Sequence, residues 1–179
     1  MSKRLKLYNV NLKYIRNLHS VDNHVPSISP QIGKQNRPFL GVVVMVNSAK
    51  YCIPLSSNSA RKNKNLDSMR ENITFRKIRD KDGKILAALN LNNMIPIRDE
   101  YIVPINLKIK TTDSISIKQW KKLCAKELDW CQANSDEIER LANELYRRYC
   151  SGEFFQKRKI CLNFPALEKE CNKAKSFSN

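Results

Sequence analysis

Phe39-Leu40-Gly41-Val42-Val43-Val44-Met45-Val46, then Asn47-Ser48-Ala49, then Lys50-Tyr51-Cys52-Ile53-Pro54-Leu55: this stretch decides the fold. The first run is nearly all β-branched or apolar, the composition of a strand buried in a sheet. Asn47-Ser48-Ala49 reads as a tight turn, and residues 50–55 as its antiparallel return. Together they make the central hairpin of a sheet. The apolar run is eight residues long and contains Gly41, so it cannot span a bilayer. The hairpin ends in Ser56-Ser57-Asn58-Ser59, and Arg61, Lys62 and Lys64 follow. Hydroxyls and cations at the end of a central strand are where a site is often built.

Upstream, residues 5–10 read as a first strand. Residues 11–19 read as a short helix, with Leu12, Ile15 and Leu18 at helical spacing. Residues 22–38, rich in Pro, Ser, Asn and Gln, read as a long surface loop. Downstream, residues 76–84 carry five cations, among them Arg76 and Lys77, and turn at Asp82-Gly83. Residues 85–91 form a further strand. A last strand, residues 102–107, holds Pro104, which suits a sheet edge.

After Ser114 the period becomes helical. Ile117, Trp120, Cys124 and Cys131 mark one face, while Lys118, Lys121, Lys122 and Lys126 point mostly elsewhere. Asn134 is placed to cap the next helix, with Glu137 as capping-box partner. The stripe Ile138, Leu141, Ala142, Leu145 and Tyr149 follows, and Gly152 ends it. Asn163-Phe164-Pro165 starts a last short helix. Strands first, then helices: the expected class is α+β, a twisted, mainly antiparallel sheet with helices packed against it. The 179 residues suit a single domain, 1–179, with a tail after about residue 165 expected to fray.

Charge narrows the partners. The chain has 33 Lys+Arg against 17 Asp+Glu, a net +16, which favours a polyanion, nucleic acid before anionic membrane. Charge does not separate a binder from a nuclease. Residues 2–6 are Ser-Lys-Arg-Leu-Lys with no apolar signal region after them, so the expected location is cytoplasmic. No pair among the six cysteines has CxxC spacing, and His19 and His24 are the only histidines, which argues against a structural zinc site. Free thiols in a reducing cytosol are expected. Walker, GxGxxG, HExxH and GxSxG signatures are all missing, and the scattered carboxylates give no support to a two-metal centre. Neither metal nor cofactor is expected. Trp120 and Trp130 read as core.

A hydroxyl and cation constellation remains. Lys34 and Arg37 lie in the loop entering the hairpin, and Ser56, Ser57, Arg61, Lys62 and Lys64 leave it. In an antiparallel pair the start of one strand lies beside the end of the next, so the two loops should converge. Such a site can cleave RNA without metal, because the ribose 2′-OH is the nucleophile. Cations and hydroxyls position the phosphate and stabilise its extra charge. Proton transfer without His falls to a lysine of lowered pKa or a Tyr. The plainer alternative is an exposed strand end in a solvated basic loop. Lys118, Lys121, Lys122 and Lys126 are open to both readings, phosphate contact or solvated face.

Tyr51-Cys52-Ile53-Pro54-Leu55-Ser56-Ser57 resembles the Y-x-x-P-L-[TS]-S strand end of type III toxin–antitoxin endoribonucleases, the ToxN/AbiQ family. Lys13-Tyr14-Ile15, Arg37-Pro38-Phe39-Leu40-Gly41-Val42-Val43, Leu89-Asn90-Leu91-Asn92-Asn93-Met94-Ile95-Pro96-Ile97 and Gln132-Ala133-Asn134-Ser135-Asp136-Glu137-Ile138 agree in order, across roughly residues 6–150. The resemblance implies a compact twisted sheet similar to the Kid/MazF toxin barrel, with surrounding helices. It implies metal-independent cleavage of A-rich RNA to a 2′,3′-cyclic phosphate and a 5′-OH. It also implies a small pseudoknot RNA antitoxin, processed by the toxin and closing an inhibited toxin–RNA assembly, with growth inhibition or phage defence as the outcome. Ser56 and Ser57 match the family's active-site pair, and Arg37 its basic position. The Pro-Lys that commonly follows the pair is Asn58-Ser59 here, so its cation falls to Arg61 or Lys62. The expected roles are Ser57 on the scissile phosphate or 2′-OH, Ser56 in support, and Arg37 with Arg61 or Lys62 on the pentacoordinate phosphate. Lys34 is in reserve, and Lys64, Arg76, Lys77, Lys118, Lys121 and Lys122 are the expected wider RNA contacts. The competing classes are a non-enzymatic RNA- or DNA-binding module and a barrel-fold toxin acting on gyrase.

Overall fold

The computed structural model describes residues 4–26, 39–57, 66–153 and 160–173. Its strands are β1 (Leu7–Val10), β2 (Phe39–Val46), β3 (Ala49–Ser57), β4 (Phe75–Arg79), β5 (Ile85–Asn90), β6 (Ile95–Pro96) and β7 (Ile102–Pro104). Its helices are α1 (Leu12–Val21), α2 (Ile115–Ala133), α3 (Ser135–Cys150) and α4 (Phe164–Lys173). All pairings are antiparallel, in the order β4-β5-β3-β2-β1-β7, with β6 on β3. The α+β class expected from the sequence is the one observed. The barrel is not: among the described residues β4 and β7 are the two ends of an open sheet. Pro104 sits on the end strand β7, where its missing N–H costs no ladder bond.

The β2–β3 hairpin turns through Asn47 (φ 46°) and Ser48 (φ 65°). Two left-handed residues are what a two-residue type I′ turn needs, and Asn takes that conformation readily. Asn143 of α3 clamps the turn: its Oδ1 accepts from Asn47 N at 3.0 Å and its Nδ2 donates to Met45 O at 2.9 Å. Gly41 is fixed by close approach, because a Cβ there would lie 2.5 Å from the Ile53 carbonyl oxygen. The β2–β3 register runs from Val46↔Ala49 to Gly41↔Pro54. Beyond Pro54, β3 pairs with β5 instead, through Leu55↔Leu89, Ser56↔Ala88 and Ser57↔Ala87.

The α3 stripe of Ile138, Leu141, Ala142, Leu145 and Tyr149 is buried as its spacing predicts. The Asn134–Glu137 capping box is not formed. Asn134 Nδ2 donates back to Trp130 O, and the Glu137 carboxylate is taken by Arg140 at 2.8 and 2.9 Å. On α2 the core face differs from the expected one. Lys121, Cys124, Glu127 and Cys131 are buried, whereas Ile117 and Trp120 are 44% and 37% exposed. The first turns of α2 place no residue in the core, so the apolar stripe begins before the packing does. Trp120 is therefore not a core residue. Glu127 is 1% exposed, and its Oε1 has no partner among the described residues. Burial pushes its carboxyl up to about 7.

Cys124 and Cys131 are buried, as expected of small core residues, and burial pushes both thiols up to about 12. The chain past residue 165, expected to fray, is helical to Lys173, with Phe164, Leu167 and Cys171 in the core. Asn163 caps this helix by accepting from Ala166 N. No helix among the described residues is long and apolar enough to cross a membrane.

Candidate active site

Antiparallel geometry puts Phe39, where β2 begins, and Ser57, where β3 ends, at the same end of the hairpin, because Gly41 faces Pro54. The segments carrying Lys34 and Arg37, and Arg61, Lys62 and Lys64, attach there. Those five cations lie outside the described residues. Ser57 is placed by its backbone, opposite Ala87.

Ser56 is exposed at this strand end. Its Oγ accepts a hydrogen bond from Asn90 Nδ2 at 2.8 Å. Asn90 closes β5 and pairs with Phe75 of β4. With one Oγ lone pair engaged by the amide, the hydroxyl proton is free to be donated outward. Ser56, Ala88 and Asn90 fall on one face of the pleat, and Leu66, Phe75 and Ala88 form a small apolar cluster beneath. Asn90 was not foreseen as a site residue. It stands in the Leu89-to-Ile97 stretch, and the structure joins that stretch to Tyr51–Ser57 through this bond.

Tyr51, five residues before Ser56, is fully buried and donates to Glu168 Oε1 at 2.6 Å. Tyr146 donates to the other carboxyl oxygen at 3.0 Å. Burial first, then the Glu168 contact, drives the Tyr51 hydroxyl pKa far upward, and the same two causes push Tyr146 up to about 12. Neither is suited to lose its proton and then act as a general base. The three groups pin α4 to β3 and α3. His19 donates to Val25 O and His24 contacts Asp22, so both serve the turn after α1.

Of the wider RNA contacts expected, Lys77 is 6% exposed, with Nζ donating to Asp67 O at 3.0 Å. Lys121 is 8% exposed, with Nζ on Asp113 at 2.7 Å and Lys108 O at 2.8 Å. Both ammoniums are drawn inward by loop acceptors, so neither is a free phosphate contact. This corrects their placement on an RNA-facing surface. Arg76 is half-buried, donating to Asn72 O at 2.6 Å and lying 3.8 Å from Glu137. Lys122 is exposed and Lys118 half-exposed. Among the described residues, no group of three His, Cys, Asp or Glu side chains is placed to hold a metal.

The chain is 28% identical over 175 residues to the endoribonuclease ToxN of Bacillus thuringiensis subsp. kurstaki, covering 95% of this chain and 84% of that protein. It is 26% identical to the endoribonuclease AbiQ of Lactococcus lactis subsp. lactis, with 92% and 86% covered. A solved toxin from a study of selective inhibition by a non-coding RNA pseudoknot shares the fold, with a TM-score of 0.75 at 23% identity, covering 97% of this chain and 99% of that one. AbiQ, described as a lactococcal anti-phage endoribonuclease of a type III toxin–antitoxin system, superposes at 0.72 with 22% identity, covering 96% and 98%. The family model for toxin ToxN of type III toxin–antitoxin systems matches residues 6–172, and the chain belongs to that family.

Proposed function

We propose that the chain is an endoribonuclease toxin that cleaves RNA without metal, acting in the cytoplasm. The reading rests on the Ser56 hydroxyl, held by Asn90 at the strand end where two cation-bearing segments attach. Its relatives are endoribonucleases of the same family. The ribose 2′-OH attacks the adjacent phosphorus. The P–O2′ bond forms and the P–O5′ bond breaks, giving a 2′,3′-cyclic phosphate and a 5′-OH. The 2′-OH proton passes to a base, and the leaving O5′ gains one. Ser56 and Ser57 donate to phosphate oxygens or to the 2′-OH. Arg37, with Arg61 or Lys62, offsets the charge of the pentacoordinate phosphate. Lys34 and Lys64 extend the cationic rim. A-rich RNA is the favoured substrate. A pseudoknot RNA antitoxin, cut from its precursor by the toxin, is the inhibitory partner in a closed toxin–RNA assembly, with growth inhibition or phage defence as the outcome.

The test incubates the purified protein with A-rich RNA in excess EDTA and maps the ends. Cyclic-phosphate and 5′-OH ends are expected. Ser57→Ala should slow cleavage by on the order of a hundred-fold or more. Bound but intact RNA would mean a binding module, and normal cleavage by Ser57→Ala would remove the assigned site.

A further inference from the structure

A cavity of about 520 Å³ opens between the β4–β5 turn and the C-terminal half of α2. Its volume is in the range of small-molecule sites. The Trp130 indole and Ala133 give it an apolar wall. Arg79, Lys81 and Lys126 line it beside Asp80, Asp82 and Asp129, so three cations meet three carboxylates. In a chain of net charge +16 this is a locally neutral place. A phosphate would gain little there. Asp80 is spent on the turn, where its Oδ1 accepts from the amides of Asp82 and Lys84. The carboxylates of Asp82 and Asp129 carry no hydrogen bond or ion pair among the described residues.

We propose that this cavity is a base pocket: it takes one unstacked nucleobase of bound RNA, of a kind bearing an exocyclic amino group. The proposal rests on the RNA reading above and adds a recognition site to it. A base has a flat apolar face, which the indole stacks against, and stacking of bases on aromatic side chains is the usual way single strands are held. Its amino group is a donor that Asp82 or Asp129 accepts. Uracil has no such group; its one free donor, N3–H, sits between two carbonyl oxygens, which a carboxylate repels. Lys81 and Lys126, both exposed at the rim, are left for the flanking phosphates. The pocket and Asn90 lie at opposite ends of the β4–β5 hairpin. Asn90 and Ile85 are about 17 Å apart at the usual strand rise.

The test uses the full chain carrying Trp120→Phe, so that Trp130 is the only indole. Adenosine, cytidine, guanosine and uridine are titrated against its fluorescence. The expected result is saturable quenching by nucleosides with an amino group and at least tenfold weaker quenching by uridine. Adding Asp82→Ala with Asp129→Ala, two exposed surface changes, should weaken the amino-bearing nucleosides at least tenfold and leave the melting temperature unchanged. Equal response to uridine, or indifference to the double substitution, would overturn the pocket. Ser56→Ala should leave this titration untouched while lowering RNA cleavage, so the pocket and the cleavage site fail separately.

Discussion

The bond from Asn90 to Ser56 does two things to the serine. It fixes the rotamer, and it leaves the hydroxyl hydrogen as the outward donor. Ser56→Ala removes the donor. Asn90→Ala keeps it but frees its rotation. We expect cleavage to fall by about ten- to a hundred-fold in Asn90→Ala and at least as far in Ser56→Ala, with RNA affinity nearly unchanged in both, since a transition-state donor acts on kcat. Ser56 was legible from the sequence because its motif is local. The role of Asn90 was not, because the contact spans 34 residues and depends on strand register. Lys77 and Lys121 were misplaced for a related reason. Their partners, Asp67 O and Asp113, lie in loops whose course no periodicity encodes. Glu127 supplies a separate test. Its folded carboxyl titrates near 7 against 4.5 unfolded, because burial disfavours the anion. The unfolded chain therefore loses this proton first. Its contribution to stability is complete below about pH 4.5 and is lost as pH rises through 7. Glu127→Gln should flatten that part of the stability–pH curve and gain roughly 3 kcal/mol over the wild type at pH 8 in chemical denaturation.

At the scale of elements, the strands of the hairpin and the buried stripe of α3 are legible because their patterns are clean, whereas the cap of α3 is not. β4 was missed because Arg76, Lys77 and Arg79 hide the alternation. The core side of β4 is carried by Ile78, while Phe75 belongs to the small cluster with Leu66 and Ala88. The barrel expected from the family resemblance depends on whether the end strands meet, a property of the whole sheet that no local pattern reports. Within the hairpin, Gly41 leaves no room for a methyl group against the Ile53 carbonyl. Gly41→Ala should cost about 1–3 kcal/mol, the usual penalty of overpacking, and lower the melting temperature. Ser48 bears the opposite kind of strain, a left-handed φ of 65° in a residue with a Cβ. Ser48→Gly should stabilise the protein by about 0.5–1 kcal/mol in the same measurement, as relief of that strain exceeds the lost chain stiffness.

For the molecule as a whole, the charge of +16 is spread beyond the site, and several of its cations are spent internally on Glu137, Glu144 and Asp113. Affinity for single-stranded RNA should fall linearly on a log–log plot against salt. The slope should be about −0.7 per phosphate neutralised, and Lys122→Ala should flatten it by less than one such step. Lys121→Ala should instead lower stability and leave the slope alone, because it breaks a pair whose two side chains are only about 10% exposed.

Glu168 holds the hydroxyls of Tyr51 and Tyr146 at once, so the last helix secures the strand that ends in Ser56. This has a genetic consequence. If expression of the protein halts growth, spontaneous survivors should not cluster at the active-site codons alone. Nonsense and frameshift alleles falling just before Phe164 should be recovered as well, more than a hundred codons downstream of Ser56. A fusion partner joined after Lys173 leaves the three-residue latch intact and should be tolerated.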